Sequence, residues 1–331
     1  MRQRLMRAAV RGAMATPWFV RFAGRKRHTG DDTELDRQVA AALEFERIAR
    51  LPALDSMEVS AARRYAEEGM SPLDLDPAPM AEVIDTTIGT IPVRIFVPHD
   101  AGPDWLVYFH GGGGVIGSIK ASEPVTRYLA QQTRCTVASV EYRLGPEDKH
   151  PAAIEDACAA YAGLLERVPG GVAVGGDSFG GFLAAHVDHW ARTTNQRSPD
   201  VQLLIYPLVD LTLASPSIER LGEGYLLTKK MVYWFRGNYL HADDDQEAGS
   251  PWFWTDLEGS APAIIATAGY DPLVDEGDAW ADRLRQAGTE VRHHRFAGLI
   301  HGFLSLAGAV EAARAATDEL CRDLVEMLSS R

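Results

Sequence analysis

The stretch Gly176-Asp177-Ser178-Phe179-Gly180-Gly181 decides how this chain folds. It follows the short apolar run Val172-Ala173-Val174, which predicts a strand that runs into a tight turn with Ser178 at its tip. Glycines on both sides suit a strained turn where neighbouring backbone would collide with a Cβ. A helix that begins directly behind the turn would direct its N-terminal amides toward the serine. The pattern Gly-x-Ser-x-Gly therefore predicts a serine hydroxyl raised above the edge of a sheet.

A nucleophilic serine needs an adjacent general base, and the base needs a third group that orients it. Without these partners, the same residues would form an ordinary Gly-rich turn with a serine on the surface. Asp271 is the first candidate for the orienting acid because it follows the apolar run 263–268, which predicts a buried strand. A simple turn residue before Pro272 is the alternative. Three nearby acids are weaker candidates, since we expect them on the first turn of the next helix: Asp275, Glu276 and Asp278.

His301 is the candidate general base. It follows the strand-like run 290–296, so we expect it at the edge of the sheet where open α/β sheets place their ligands. A structural core or loop histidine is the alternative at this position. His293 and His294 lie inside the strand pattern and are poorer candidates, because one of the two must face outward. The histidines show no His-Glu-x-x-His or similar spacing, so we expect no metal site.

The second signature is Tyr108-Phe109-His110-Gly111-Gly112-Gly113-Gly114, after the strand-like run 105–109. Acyl transfer passes through a tetrahedral oxyanion, which aligned backbone N–H groups stabilise. A glycine run lets the substrate carbonyl approach such groups. The predicted donors are the N–H groups of Gly111, Gly112 and Phe179. We expect His110 to hold the loop rather than to act as a second base. A flexible loop or a phosphate cradle is the alternative, but the pattern G-x-x-x-x-G-K-[ST] is absent.

Together these segments resemble the hormone-sensitive-lipase family of carboxylesterases, the bacterial branch of α/β-hydrolases with a His-Gly-Gly-Gly oxyanion motif. The resemblance extends from about residue 75 to the C-terminus. It implies Ser178 as the nucleophile, His301 as the general base and Asp271 as the orienting acid. It also implies Gly111 and Gly112 as oxyanion donors. Further matching segments are Glu141-Tyr142-Arg143-Leu144-Gly145-Pro146-Glu147, Gly224-Tyr225-Leu226-Leu227-Thr228, Asp271-Pro272-Leu273 and His301-Gly302-Phe303.

Phe179 departs from the family pattern, which usually has alanine after the nucleophile. Its N–H is still available, but the large ring must turn either toward the sheet or into the pocket. In the pocket it would narrow the space or form an aromatic wall.

Strand-like and helix-like segments alternate along the chain, which predicts a mostly parallel sheet. We expect the α/β-hydrolase fold, with about eight strands flanked by helices and a helical cap. Strand-like segments lie near 83–88, 92–97, 105–109, 136–141, 172–175, 201–206, 263–268 and 290–296. Helix-like segments lie near 121–133, 152–167, 179–193, 276–287 and 307–328.

Two segments interrupt or precede this alternation, and we expect them to form the cap: residues 1–50 and 209–247. The catalytic α/β domain would then comprise residues 51–208 and 248–331. Residues Tyr225, Leu226 and Trp234 in the second cap segment are candidates for the substrate pocket, with plain cap packing as the alternative.

Composition excludes several classes of function. The formal net charge of −13 argues against nucleic acid as a partner. The N-terminal segment 1–28 is basic, and we favour a cap role for it over a helix at a lipid interface. The sequence contains no run of about 18 apolar residues, and we expect no membrane contact. Three widely spaced cysteines (Cys135, Cys158 and Cys321) suit burial as thiols and a cytoplasmic protein.

We therefore expect a serine carboxylesterase that hydrolyses short- to medium-chain carboxylic esters through an acyl-enzyme, without a cofactor. The expected partner is a small-molecule ester. An amidase or thioesterase would use the same three residues, since one oxyanion hole serves all acyl transfers. A small-molecule binding protein on the same fold is the alternative from another class, and the presence of serine, acid and histidine in order argues against it. The resemblance also allows a homodimer.

Overall fold

The computed structural model describes residues 11, 12, 14, 16, 20, 34–49, 52–69 and 73–330. Most of the basic segment 1–28, and with it much of the predicted N-terminal part of the cap, lies outside these residues. Among the described helices, none has both the length and the apolar character needed to cross a bilayer.

The described chain contains one eight-stranded sheet. Its strands are β1 Glu82–Ile88, β2 Ile91–Val97, β3 Trp105–Phe109, β4 Thr136–Val140, β5 Val172–Asp177, β6 Val201–Ile205, β7 Ala263–Tyr270 and β8 Val291–Ile300. They lie side by side in the order β1-β2-β4-β3-β5-β6-β7-β8. Strands β3 to β8 run parallel, β2 pairs antiparallel with β4, and β1 pairs antiparallel with β2. The predicted mostly parallel sheet of eight strands is confirmed, although β8 continues four residues beyond the predicted end at 296.

Apolar residues fill the central strands because both faces of the sheet are covered by helices. Every residue of β6 and β7 is buried. The described helices are α1 Arg37–Ala49, α2 Val59–Gly69, α3 Ile119–Thr133, α4 Ala152–Leu165, α5 Phe179–Thr193, α6 Pro216–Arg220, α7 Lys229–Tyr239, α8 Val274–Gln286 and α9 Glu311–Ser329. Helices α1, α3 and α9 contribute to the core on one face of the sheet, and α4, α5 and α8 contribute to the core on the other face.

The segment between β6 and β7 interrupts the alternation of strands and helices, as the sequence predicts. It contains α6 and α7. Pro216 occupies the first position of α6, where its missing N–H costs nothing. Helix α7 begins after Thr228, whose side chain accepts a hydrogen bond from the Met231 N–H at 3.2 Å. This segment therefore forms its own short helices above the carboxyl ends of the parallel strands.

Candidate active site

The turn between β5 and α5 holds Ser178 in a strained conformation. Its backbone has φ 55° and ψ −115°, a region that non-glycine residues rarely adopt. A Cβ at either Gly176 or Gly180 would collide with the carbonyl oxygen of Phe109 on the neighbouring strand. The predicted need for glycine on both sides of the serine thus arises from close packing of the turn against β3.

Three side chains from three separate loops meet at this turn. The Nε2 atom of His301 lies 2.9 Å from Ser178 Oγ, and its Nδ1 atom lies 2.8 Å from Asp271 Oδ2. Asp271 follows directly after β7, and His301 follows β8, so parallel strands deliver both to the same sheet edge as the serine. The Asp271 side chain is 1% exposed, so little solvent competes for its bond to the imidazole. Because the Asp271 carboxylate can only accept a hydrogen bond, the neutral imidazole carries its hydrogen on Nδ1. The unprotonated Nε2 is then the atom that can accept the proton of Ser178.

The weaker candidate acids and histidines are engaged elsewhere. Asp275 pairs with Arg220 at 2.7 Å. Glu276 accepts the Val209 N–H at 2.8 Å in the interior. On β8, the two other histidines pair with acids of the flanking helices: His293 with Asp278, and His294 with Asp323 and Glu319. Among the described residues, the carboxylate bonded to His301 is that of Asp271.

Gly111 requires a correction to the predicted set of oxyanion donors. Its N–H donates to Asp177 Oδ1 at 3.0 Å, so this amide is already engaged. The N–H groups of Gly112, Gly113 and Phe179 have no acceptor within the part of the chain that the structure describes. All three residues line the cavity in front of Ser178. Gly113, which the sequence analysis did not select, therefore replaces Gly111 as a candidate donor.

His110 lies beneath the glycine loop and holds it, as expected from the sequence. Its ring Nδ1 lies 2.7 Å from the Gly111 carbonyl oxygen, and the Tyr142 hydroxyl donates to the His110 carbonyl at 2.6 Å. The two rings stack at 4.4 Å. Burial lowers the pKa of His110, which keeps the imidazole neutral. A neutral histidine with its Nδ1 at the loop backbone serves as a structural support.

The Phe179 ring turns into the protein core, which decides between the two predicted orientations. It is fully buried and lies 4.8 Å from the Tyr239 ring and 5.1 Å from the Phe182 ring. Its backbone N–H has no acceptor among the described residues, so Phe179 stays a candidate oxyanion donor despite the departure from alanine.

A cavity of about 320 Å³ opens in front of the serine. Leu226 lines it, as predicted, whereas Tyr225 and Trp234 do not. The Tyr225 ring packs 5.0 Å from Tyr270, and the Trp234 ring packs 5.2 Å from Phe235. Apolar lining residues outside the predicted pocket set include Leu208, Leu211, Leu213, Leu227, Met231, Val232, Phe235 and Leu273.

Helical periodicity could have located part of this lining. Residues 231, 232, 235 and 239 follow the spacing of one helix face on α7 and all line the cavity. Trp234 points away because it lies on another face of the same helix. The leucines between 208 and 213 carry no such periodic signal, since they belong to an irregular loop.

Comparisons with known proteins agree with the fold and the site. A family model described as the alpha/beta hydrolase fold matches residues 106–305. The chain is 36% identical to a carboxylic ester hydrolase, LipN of Mycobacterium tuberculosis, over 96% of this chain and 91% of that protein. It is 34% identical to an ethyl acetate hydrolase of Pseudomonas putida, over 78% of this chain and 87% of the relative.

A solved ester hydrolase from the metagenome of Lake Arreo superposes with a TM-score of 0.84 at 35% identity, covering 89% of this chain and 99% of that one. The esterase of Pyrobaculum calidifontis superposes with a TM-score of 0.82 at 34% identity, covering 88% and 98%. The fold and the site define an α/β-hydrolase. Within that class, the chain belongs to the hormone-sensitive-lipase-like family, as its motifs predicted.

Proposed function

We propose that this protein is a serine carboxylesterase in which Ser178 attacks the ester carbonyl, His301 is the general base and Asp271 orients the histidine. The bonding chain Ser178–His301–Asp271, at 2.9 and 2.8 Å, carries the proposal. Relatives named carboxylic ester hydrolase, ethyl acetate hydrolase and arylesterase support the same activity.

The reaction proceeds in two steps. His301 takes the proton of Ser178 as Oγ bonds to the carbonyl carbon, and the negative charge develops on the carbonyl oxygen. The N–H groups of Gly112, Gly113 and Phe179 stabilise that oxygen. The imidazolium, stabilised by the Asp271 carboxylate, then protonates the departing alcohol. Water then attacks the acyl carbon while His301 takes its proton. The bond between that carbon and Ser178 Oγ breaks, His301 returns the proton to Oγ, and the carboxylic acid is released. No cofactor takes part in these steps.

The cavity favours short- to medium-chain acyl groups. Its volume of about 320 Å³ lies at the lower end of the range for small-molecule sites, which is about 300–1,000 Å³. One wall is an apolar cluster in which Leu213, Leu227, Val232 and Leu273 are buried together. Such a wall suits an alkyl chain of limited length. An amide or thioester could also enter, so the leaving group has to be tested separately.

The proposed cap comprises residues 1–50 and 209–247, over a catalytic domain of residues 51–208 and 248–331. Residues of α7 and of the loop before it line the cavity, which supports the second segment as a cap. Of the first segment, α1 packs into the core beside α9, and its residue Gln38 accepts a hydrogen bond from the Glu311 N–H at 2.8 Å.

A small ester as partner, a cytoplasmic location and a homodimer remain predictions. The three free, buried cysteines support a reducing compartment.

The test combines active-site labelling with substrate profiling. A fluorophosphonate probe should label the wild type and should not label Ser178→Ala. Ser329→Ala, on the last turn of α9, is the matched control and should label normally. p-Nitrophenyl esters from acetate to palmitate, with p-nitroanilides and thioesters alongside, should give turnover that declines beyond medium chain length. Labelling of Ser178→Ala, or preference for long-chain emulsions, would contradict the proposal.

A further inference from the structure

Two glycines of the oxyanion loop (residues 111–117) lie directly against aromatic rings. Gly113 has φ +62°, and a Cβ on it would lie 2.6 Å from Cβ and Cδ1 of Phe235. Gly114 has φ +71°, and a Cβ on it would lie 2.8 Å from both Phe179 Cζ and Tyr239 Cδ2. Real Cβ atoms do not approach other atoms this closely, so these rings occupy the space beside the loop backbone.

The three rings come from two different parts of the protein. Phe235 and Tyr239 are four residues apart on α7, so they project from one face of the proposed cap. Phe179 directly follows the nucleophile in the chain, and its ring lies edge-to-face against Tyr239 with centroids 4.8 Å apart. The far side of the loop is fixed by backbone, because the Gly145 N–H donates to the Gly114 carbonyl at 2.8 Å. The loop is thus held between cap, nucleophile turn and residue 145.

A run of four glycines is by itself the most flexible backbone a protein can build. An oxyanion donor stabilises the transition state only when its N–H group already points at the developing charge. A donor placed in this way contributes about 10²–10³-fold to kcat. Something other than the loop's own side chains must therefore restrict it. The rings that pack against Gly113 and Gly114 supply such a restriction from outside the loop.

We propose that Phe179, Phe235 and Tyr239, here called the aromatic clamp, are positioning residues that fix the direction of the Gly112 and Gly113 N–H groups. This inference rests on the proposed function, in which those amides stabilise the oxyanion. It also gives the large residue at position 179 a role, since its ring fills the space beneath Gly114. Because two of the three rings belong to α7, the position of the cap helix and the geometry of the oxyanion hole are coupled.

The test compares Phe235→Ala and Phe179→Leu with Tyr233→Ala. Tyr233 is on the same helix as Phe235, but the residue is 40% exposed and is not part of the cavity lining, and its ring lies 4.7 Å from the Arg236 guanidinium. Four quantities are measured for each variant: kcat, KM, affinity for a trifluoromethyl ketone that forms a tetrahedral adduct, and melting temperature. Hydrogen–deuterium exchange of Val115 and Ile116, whose N–H groups donate to the Gly112 carbonyl at 3.0 Å, reports loop order without turnover.

We expect Phe235→Ala and Phe179→Leu to lower kcat about 10- to 100-fold, because small misplacements of catalytic groups cost rate factors of this size. Affinity for the ketone should fall by a similar factor, and exchange in the loop should accelerate. KM should change little in Phe179→Leu, whereas Phe235→Ala also removes part of the cavity wall and should raise KM in addition to lowering kcat. Tyr233→Ala should match the wild type in all four quantities and in exchange. Variants with wild-type kcat and loop exchange, or a loss confined to KM, would overturn the clamp. Failure of the proposed function looks different: the wild type itself would not turn over esters, while the exchange comparison would still decide whether the rings order the loop.

Discussion

The N–H of Gly111 donates to the carboxylate of Asp177 across 3.0 Å, which joins the first glycine of the oxyanion loop to the residue that precedes the nucleophile. The same carboxylate oxygen accepts the Tyr108 hydroxyl at 2.7 Å. One side chain thus sets the spacing between the loop that holds the candidate donors and the turn that holds Ser178. The aspartate within the Gly-x-Ser-x-Gly motif therefore has a structural task of its own.

Replacing Asp177 by alanine should reduce both stability and turnover. The variant leaves the Gly111 N–H and the Tyr108 hydroxyl without their acceptor, and a buried unsatisfied group costs about 1–3 kcal/mol. Urea unfolding should show a loss of this order, and kcat should fall because the loop is no longer fixed to β5. Tyr108→Phe is the control that removes one of the two bonds, and its loss should be smaller. An Asp177→Ala protein as stable and active as the wild type would contradict this role.

Asp271→Asn should reduce kcat strongly while the protein stays folded. An amide at this position presents a donor or a neutral acceptor to His301 Nδ1, so the imidazole loses the tautomer and the stabilisation that proton transfer needs. The corresponding change in a serine protease lowers kcat by about 10⁴-fold. The matched control is Asp275→Asn, which removes only the ion pair with Arg220. Steady-state kinetics on an aryl ester distinguish the two, and equal effects would contradict the assignment of Asp271.

Much of this arrangement could be predicted because local chemistry dictates it. A serine between glycines after an apolar strand can form little else than a tight turn, and the structure shows why at Gly180, where a Cβ would meet the Phe109 carbonyl. Asp271 was predictable because it directly follows the apolar, fully buried strand β7, and His301 because it follows the strand-like segment that forms β8. Parallel strands bring such residues to one sheet edge whatever their distance along the chain.

The remaining details depend on contacts between distant segments. Nothing in the glycine run itself indicates that Asp177 engages the Gly111 amide, since that bond requires β3 and β5 to be neighbours. Trp234 was predicted to line the pocket from its aromatic character alone, yet its position on α7 turns it away while Phe235 faces the cavity. Composition predicts burial of such residues, but the surface that they face depends on how the helix docks.

Substitution of Val232 should change the acyl-chain preference in a predictable direction. Val232 is buried in the apolar cluster that forms one wall of the cavity. Val232→Ala removes part of this wall and deepens the cavity. For two esters whose acyl chains differ by one methylene, the ratio of their kcat/KM values should shift about fourfold toward the longer ester, since each buried CH₂ contributes about 0.8 kcal/mol. Val232→Phe should shift the preference toward acetate. Val325→Ala, on an exposed position of α9, is the control. An unchanged butyrate-to-hexanoate ratio in both Val232 variants would place the acyl chain elsewhere.

Glu276 is a buried residue whose carboxyl group links α8 to the loop that follows β6. Its Oε1 accepts the N–H groups of Val209 and Asp210 at 2.8 and 3.2 Å, and its Oε2 accepts the Ser215 hydroxyl at 3.2 Å. Burial raises the pKa of Glu276 from the ordinary 4.5 to about 8, and the neighbouring Asp210 adds to the rise. The folded protein therefore retains a proton that the unfolded chain has already lost at neutral pH.

This difference fixes the sign of a pH effect on stability. From pH 4.5 to about 8 the folded state binds more protons than the unfolded state at this site, so its contribution to the free energy of unfolding falls as pH rises. The slope is at most about 1.4 kcal/mol per pH unit, and it vanishes above the folded pKa. Glu276→Gln keeps an oxygen acceptor but cannot ionise. In urea unfolding from pH 5 to 8, its stability relative to the wild type should rise steadily with pH. Glu82→Gln, on the exposed strand β1, should show no such trend, and parallel pH profiles for wild type and Glu276→Gln would contradict a protonated Glu276.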